Sequence, residues 1–463
     1  MGEILQIQVG RCGNRIGDNF WKTISNEHGL DEQGKFVGYS SDEQLERIHV
    51  YYDESKGGVY VPRAVLVDWD STLLNTIGGR HCDGNAYRKE NFVGGHGGTG
   101  SNWAKGYYGG GEMSTRVAEA VRSEVERCDR LQGFQLVHSL GGGTGSGLGG
   151  RVLNNVRVSY PNRATHTYSV APWTAVSDEP AESYNALLSA ARLVGGAHAT
   201  YLADNRALFD ACCAGTSGAA APAYADLNHL VSQIMSGVTT GLRFAGRLNA
   251  DMKKCTANLV PYPRLHFFVP GFAPITFRGQ TDACAYTVPE LATQLFRAVR
   301  LQRRCTGAAV VMAAVMTFRS RSVVNDPRGD HVPLQPATGP ITTAPKRRWL
   351  PDNLKTASYG VPSHGLKNSG TVVANTTAVR DVFERFCRRS ASMLAKRELL
   401  HLYVEEGMGS DEFRVALEQI ESLTAEYLTI ERDNCSNGDD DDGGGGHEDG
   451  SQSLRSMDCT ATA

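Results

Sequence analysis

Nowhere in its 463 residues does the chain hold an apolar run approaching the roughly 20 residues that a membrane-spanning helix needs. The opening stretch, Met1 to Val9, alternates apolar and polar residues and has neither a basic leader nor a continuous apolar core. It reads as a strand and not as a signal peptide. Gly2 opens like a myristoylation signal, but Gln6 stands where a hydroxyl residue is needed. The eleven cysteines include no Cys-x-x-Cys pair, are odd in number and are scattered, which suits reduced thiols in the cytosol better than a disulfide framework or a zinc site. Cys212-Cys213 is the one adjacent pair and reads as packing. Excess basic charge is missing too. The last thirty residues carry six Asp and one Glu against one Arg, a net of −6, which leaves +3 on residues 1–433 of a chain whose total is −3. A nucleic-acid binder would be dominated by basic residues, so no nucleic acid and no membrane is expected as a partner. The acidic tail, with Asp439–Asp442 and Gly443–Gly446, reads as a solvated, disordered interaction segment.

What is present is a glycine-rich loop, Gly141–Gly147, between a strand-like segment (Gly133–Leu140) and a helix-like one (Leu148–Tyr160). Such a loop lets backbone N–H groups approach an anion, and the helix N-terminus adds partial positive charge. No Gly-Lys-Ser/Thr follows it, so it is not the common P-loop, and it is not a clean dinucleotide fingerprint. A flexible linker would join polar stretches, whereas this loop joins two apolar, periodic elements. It reads as a phosphate cradle.

Short apolar strands alternate with amphipathic helices through the first two hundred residues. Strands are expected at Glu3–Val9, Ala64–Asp70, Gly133–Leu140 and Ala164–Ala171, and helices at Arg11–Asn26, Gly110–Cys128 and Leu148–Tyr160. That alternation implies βαβ units and a parallel sheet, with ligands bound beyond the carboxyl ends of the strands. The strand-end segments Gly10–Cys12, Asp68–Asp70, Gly97–Asn102, the glycine loop and Val176–Glu182 would converge on one crevice. A long buried helix is expected over Tyr224–Phe244, capped by Asp226, followed by strands near Arg264–Pro270, Ala309–Phe318 and Thr371–Thr376. Val323–Pro345 lacks any period and reads as an irregular loop. Ala378–Asp433 reads as two amphipathic helices forming a hairpin. The expected architecture is α/β: a Rossmann-like domain with a parallel sheet at 1–206, a second α/β domain at 207–377 joined by the long helix, a helical hairpin at 378–433 and a disordered tail at 434–463.

The loop resembles the signature of tubulins and their bacterial relatives. Cys12–Gly17, Tyr60–Asp68, Asn102–Tyr107, Asp226–Val231, Met235–Thr240 and Asn258–Phe267 also resemble tubulin segments, in the family's order, and the likeness resumes at Trp349–Lys355 and through the hairpin. Leu248–Lys254 and the absence of an insertion in Leu366–Ala378 resemble the β class. The resemblance implies GTP/GDP in the crevice. Arg11, Cys12, Ser139, Gly142, Gly143, Thr144 and Gly145 fall at positions around the phosphates, Asp178 and Glu182 near the ribose, and Asn205, Asn228 and Tyr224 at the base. Taken alone, Asn205 reads as a helix cap and Tyr224 as a core aromatic. Asp70 matches an acidic residue associated with Mg²⁺, a cation normally held by one or two carboxylates plus phosphates and water.

The resemblance further implies that hydrolysis occurs between subunits, with an acidic residue of an α-type chain acting on the GTP of its β-type neighbour. Lys254 stands at the matching place here and cannot act as that carboxylate. No catalytic residue is therefore expected in this chain, and its GTP would be hydrolysed only in trans, on polymer assembly. The implied role is a structural one: pairing with α-tubulin in cytoplasmic microtubules, with the hairpin and tail serving microtubule-associated proteins and motors. The chain departs from the family in several places. Arg11 and Arg15 replace glutamines, so Arg11 would either strengthen phosphate binding or crowd the Mg²⁺. Asp70 is shorter than the usual Glu. Five prolines, Pro327, Pro333, Pro336, Pro340 and Pro345, interrupt a region that the family uses for longitudinal contacts, and Arg303, Arg304 and Lys346–Arg348 crowd it with positive charge. A non-polymerising GTP-binding regulator of microtubule assembly is the alternative reading, and a dinucleotide-dependent enzyme a third.

Overall fold

The computed structural model describes residues 2–55, 57–80, 87–173, 177, 179–215, 222–246, 251–276, 286–301, 309–321 and 354–436. Asp178, the proline-rich Val323–Pro345 segment, Arg303, Arg304, Lys346–Arg348 and the tail beyond Ser436 lie outside the described residues.

The strands are β1 (Glu3–Val9), β2 (Tyr52–Ser55), β3 (Val59–Pro62), β4 (Ala64–Asp68), β5 (Phe92–Gly94), β6 (Leu131–Ser139), β7 (Ala164–Ala171), β8 (Ala199–Asp204), β9 (Phe267–Ala273), β10 (Val311–Ser320), β11 (Leu354–Tyr359) and β12 (Asn368–Thr376). One sheet runs in the order β11-β10-β12-β9-β8-β7-β6-β1-β4-β5, and β2 and β3 form a separate hairpin. From β9 to β5 every neighbouring pair is parallel. β12 runs antiparallel to both β9 and β10. Parallel strands covered on both faces have no solvent side, so β1, β4, β7 and β8 are buried along their whole length, including the polar side chains of β1 and β7. β8 joins β9 through Thr200–Phe267 and Tyr201–Phe268, so the region expected as a second domain shares its sheet with the first.

Helices cover both faces in an α/β arrangement. On one face Gly111–Glu126, Gly149–Ser159, Glu182–Gly196, Arg380–Ala395 and Glu412–Ser436 close over a core that includes Phe134, Leu187, Phe267, Phe383 and Leu423. On the other, Gly10–Glu27, Asn205–Gly215, Tyr224–Arg243 and Met252–Leu259 pack around Phe20, Leu66, Tyr201, Met235 and Phe268. The two C-terminal helices pack against each other and against Glu182–Gly196. A short helix, Leu400–Val404, lies between them, and the second continues to Ser436, past the expected end at Asp433. Asp226 accepts the Ala223 N–H at 3.0 Å, which caps the long helix as its position predicted.

Other boundaries shift for local reasons. The strand expected to reach Asp70 ends at Asp68, whose Oδ1 accepts the Asp70 N–H at 3.3 Å in an Asx-type turn. The strand expected from Arg264 begins at Phe267, because Leu265 N–H turns back to Tyr262 O at 2.9 Å. Of the adjacent cysteines only Cys212 is buried; Cys213 is exposed, so packing explains only the first.

A buried ion cluster ties the two halves together. Glu27, at the end of the first helix, accepts from Arg243 Nη2 at 2.8 Å and Arg319 Nη1 at 2.9 Å, and all three side chains are at most 1% exposed. Ser236 Oγ donates to the same carboxylate at 2.7 Å, and Arg319 also donates to Val361 O and Pro362 O at 2.9 and 3.1 Å. The two guanidiniums hold the Glu27 carboxyl down to about 2 against the cost of its burial.

Candidate functional site: a cleft at the switch point of the sheet

Strand order reverses at β1, which has β6 on one side and β4 on the other. A crevice opens there beyond the carboxyl ends of the strands. The chain leaves β1 at Gly10, whose φ of +76° is left-handed and where a Cβ would lie 3.1 Å from Gly145 N. Asn14 is fully buried and donates from Nδ2 to Gly10 O at 3.0 Å and Val67 O at 2.9 Å, fixing the first helical turn to the end of β4. The N-terminus of Gly10–Glu27 therefore abuts the glycine loop that follows β6.

Helical winding after that loop begins earlier than expected. A π-turn over Thr144–Leu148 leads into Gly149–Ser159, so the N–H groups of the loop's second half already belong to a helix start. Ser146 clamps it, donating from N–H and Oγ to Gly142 O at 3.0 and 2.5 Å. The glycines have separate jobs. A Cβ on Gly143 would lie 2.6 Å from the backbone of Asn102, and one on Gly147 would lie 2.2 Å from Trp103 O. Both exist so that the loop can press against the Trp103–Tyr108 helix. On Gly142 the nearest atom would be Ser139 Oγ at 3.6 Å, so this glycine leaves room on the cleft side.

Two buried polar residues hold the loop from behind. His138 Nδ1 lies 2.9 Å from Gly145 O, and since a carbonyl only accepts, Nδ1 carries the hydrogen and Nε2 accepts from Ser169 Oγ at 2.8 Å. Burial pushes this imidazole down to about 4, so it is neutral. Asn185 uses all of its amide: Nδ2 donates to Ser101 O and Gly141 O, both at 2.7 Å, while Oδ1 accepts from Trp103 N–H at 3.0 Å and Tyr403 O–H at 2.8 Å.

The resulting cleft has a volume of about 540 Å³. Arg11, Cys12, Asp70, Ser139, Gly142, Gly143, Thr144, Gly145, Glu182, Asn205, Tyr224 and Asn228 all line it. Of the nucleotide- and metal-site residues expected from the sequence, only Asp178 lies outside the described residues. Asp68, Thr99 and Trp173 line it as well, although no role was assigned to them. The Asp68–Asp70 and Gly97–Asn102 strand ends signalled the first two; nothing marked Trp173. Thr99 Oγ1 and Thr144 Oγ1 are hydrogen-bonded at 3.2 Å.

The lining separates into two chemistries. At one end lie two helix N-termini, the glycine loop and Arg11, paired with Asp70; Arg15, one helical turn along, also lines the cleft. At the other, Tyr224 and Asn228 share one helix face, with Asn205 at the start of the neighbouring helix. Tyr224 is 70% exposed, so it is not a core aromatic. Among the described residues neither Asn205 nor Asn228 has its side-chain amide tied to another group. Between the ends, Glu182 Oε2 is buried without a hydrogen-bond partner, and burial raises this carboxyl above its ordinary value. It is a hydrogen-bond acceptor on the cleft wall. Burial also raises the Cys12 thiol to about 12, which leaves it inert as a nucleophile.

The carboxylates do not assemble a metal cage. Asp70 Oδ1 accepts from Thr72 N–H at 3.0 Å and Thr72 Oγ1 at 2.6 Å, and Oδ2 pairs with Arg11 Nη2 at 3.2 Å. The Thr72 bonds, with Arg11 behind them, hold Asp70 below the usual carboxylate range, whereas burial pushes Asp68 up to about 6. Among the described residues no group of three His, Cys, Asp or Glu side chains is placed to hold a metal ion.

Residues 3–213 match the GTPase domain of the Tubulin/FtsZ family, and residues 263–388 match the tubulin C-terminal domain. The first match contains β1, β4 to β8 and the glycine loop, and the second contains β9 to β12. With a GTP/GDP-binding GTPase domain followed by this C-terminal domain, the chain belongs to the tubulin family.

Proposed function

We propose that this chain is a β-type tubulin: a GTP-binding structural subunit that pairs with an α-type chain and assembles into cytoplasmic microtubules. The observation that carries the nucleotide part is the single cleft with an anion-binding end, an orphaned ribose-side acceptor and two untied amides beside an exposed aromatic ring. In this reading Gly142–Gly145, Ser139 and Arg11 bind the phosphates, Glu182 a ribose hydroxyl, Asn205 and Asn228 the guanine edge, and Tyr224 stacks on its face. Asp178 would join Glu182. The domain division at 206/207 and 377/378 belongs to the same reading, with the C-terminal helices and acidic tail as the surface for microtubule-associated proteins and motors.

The β assignment rests on Lys254. It lies exposed on the Met252–Leu259 helix, whose start Asp251 caps by accepting the Lys254 N–H at 2.7 Å. An ammonium cannot take a proton from water, but it favours the phosphates of a neighbour's nucleotide. The chain then supplies no catalytic residue, and its own GTP is hydrolysed only when an α-type subunit docks.

Co-sedimentation with α-tubulin and GTP tests this reading. The chain is expected in the polymer pellet, with phosphate released only when polymer forms. A chain that binds GTP yet stays in the supernatant, with no phosphate released, would instead be the non-polymerising regulator.

A further inference from the structure

The carboxylate expected to serve a divalent cation already holds a cation of the chain's own. Asp70 is pinned through Oδ1 by both donors of Thr72, which leaves Oδ2 directed at Arg11 Nη2 at 3.2 Å. Arg11 sits in the first turn of Gly10–Glu27, beside the glycine loop, and both partners line the cleft. The pair is accessible, with side chains 61% and 43% exposed, so it is held weakly and is exchangeable. A phosphate offers the same guanidinium a stronger, two-pronged contact. Arg15, one turn along the same helix, also lines the cleft.

We propose that Arg11 acts as a built-in counter-cation of the nucleotide cleft: its exchangeable pairing with Asp70 leaves the guanidinium able to engage the phosphates of a guanine nucleotide, so that binding depends only weakly on Mg²⁺. This rests on the guanine-nucleotide reading above. Arg11 does for the phosphates electrostatically what a metal bridge does, and Asp70 holds it at the cleft wall. Two consequences separate this from an Asp70 that serves a metal. Removing Arg11 creates Mg²⁺ dependence, because it deletes the resident cation and frees Asp70 Oδ2. Removing the Asp70 charge strengthens metal-free binding, because Arg11 no longer has to leave a carboxylate.

Equilibrium GTP binding to the full chain, with Mg²⁺ and with excess EDTA, tests this on the parent, Arg11→Gln and Asp70→Asn; circular dichroism verifies folding of these exposed variants. The parent is expected to lose less than about threefold in affinity on chelation, and Arg11→Gln at least about tenfold, the scale of one charge-assisted contact. Asp70→Asn is expected to bind GTP in EDTA as tightly as the parent or more tightly. Equal losses on chelation in the parent and Arg11→Gln, or weaker binding of Asp70→Asn in EDTA, would overturn the proposal while leaving the nucleotide site standing. Failure of the parent to bind GTP even with Mg²⁺ would overturn both.

Discussion

Glu27→Gln is expected to destabilise the protein by about 3–5 kcal/mol, because it leaves two buried guanidiniums facing a neutral amide. Arg243 and Arg319 are at most 1% exposed, and neither can reach water without opening the core. The cluster links the first helix, the long helix and β10, so the loss should appear as earlier separation of the two halves in chemical denaturation. The acid response follows from the same core. Burial holds His28 and His166 down to about 3, and His138 and His266 to about 4. Each is neutral when folded but takes a proton when unfolded, once pH drops below its ordinary value near 6.5. Stability should therefore be full above pH 6.5 and fall on acidification, each histidine adding about 1.4 kcal/mol per pH unit to the slope. Glu27, lowered from 4.5 to about 2, adds its own loss only below pH 4.5. Denaturation midpoints between pH 8 and 4 check both statements. A Glu27→Gln midpoint equal to that of the parent at pH 7 would contradict the account of the cluster.

Asn185→Asp should separate the loop clamp from the rest of the fold. The change keeps an acceptor for Trp103 N–H and Tyr403 O–H but turns a second oxygen on Ser101 O and Gly141 O. Two buried carbonyls lose their donor at about 1–3 kcal/mol each, and a buried charge is added, so a loss of at least about 3 kcal/mol is expected. Gly141 opens the phosphate cradle, so nucleotide affinity should drop further than overall stability does. Titrating the variant with GTP at a temperature where circular dichroism shows it folded measures this. Parent-like affinity would mean that Asn185 braces the C-terminal helices and not the cradle.

Much of the fold was legible because burial on both sheet faces writes itself into composition. β1 and β7 lie where the alternation of strand-like and helix-like segments placed them. β8 escaped notice because Ala199–Asp204 is short, alanine-containing and polar at its end. β11 (Leu354–Tyr359) was missed because an edge strand with exposed Thr356 and Ser358 lacks an apolar face. In the site, strand ends and the glycine run marked the anion-binding half. The glycines themselves could not say which of them serve packing, since that depends on Asn102 and Trp103 arriving from elsewhere. His138, Asn185 and Glu27 were illegible for the same reason: nothing in their own elements sets them apart, and their partners, such as Arg319 against Glu27, lie far along the chain. The pairing of Arg11 with Asp70 likewise needed the two strand ends to be brought together.

The central claim is that the cleft reads guanine. Asn205 and Asn228 together can meet the three-group guanine edge, one acceptor beside two donors, whereas adenine offers only one donor and one acceptor there and leaves part of the pair unmatched, which such a site rejects strongly. The direct measurement is competition of GTP, ATP and NAD for the purified parent and for Asn228→Leu. The account predicts that GTP outcompetes ATP and NAD by at least about a hundredfold in the parent, and that Asn228→Leu collapses most of that difference. ATP or NAD binding as well as GTP, or undiminished guanine preference in Asn228→Leu, would contradict it.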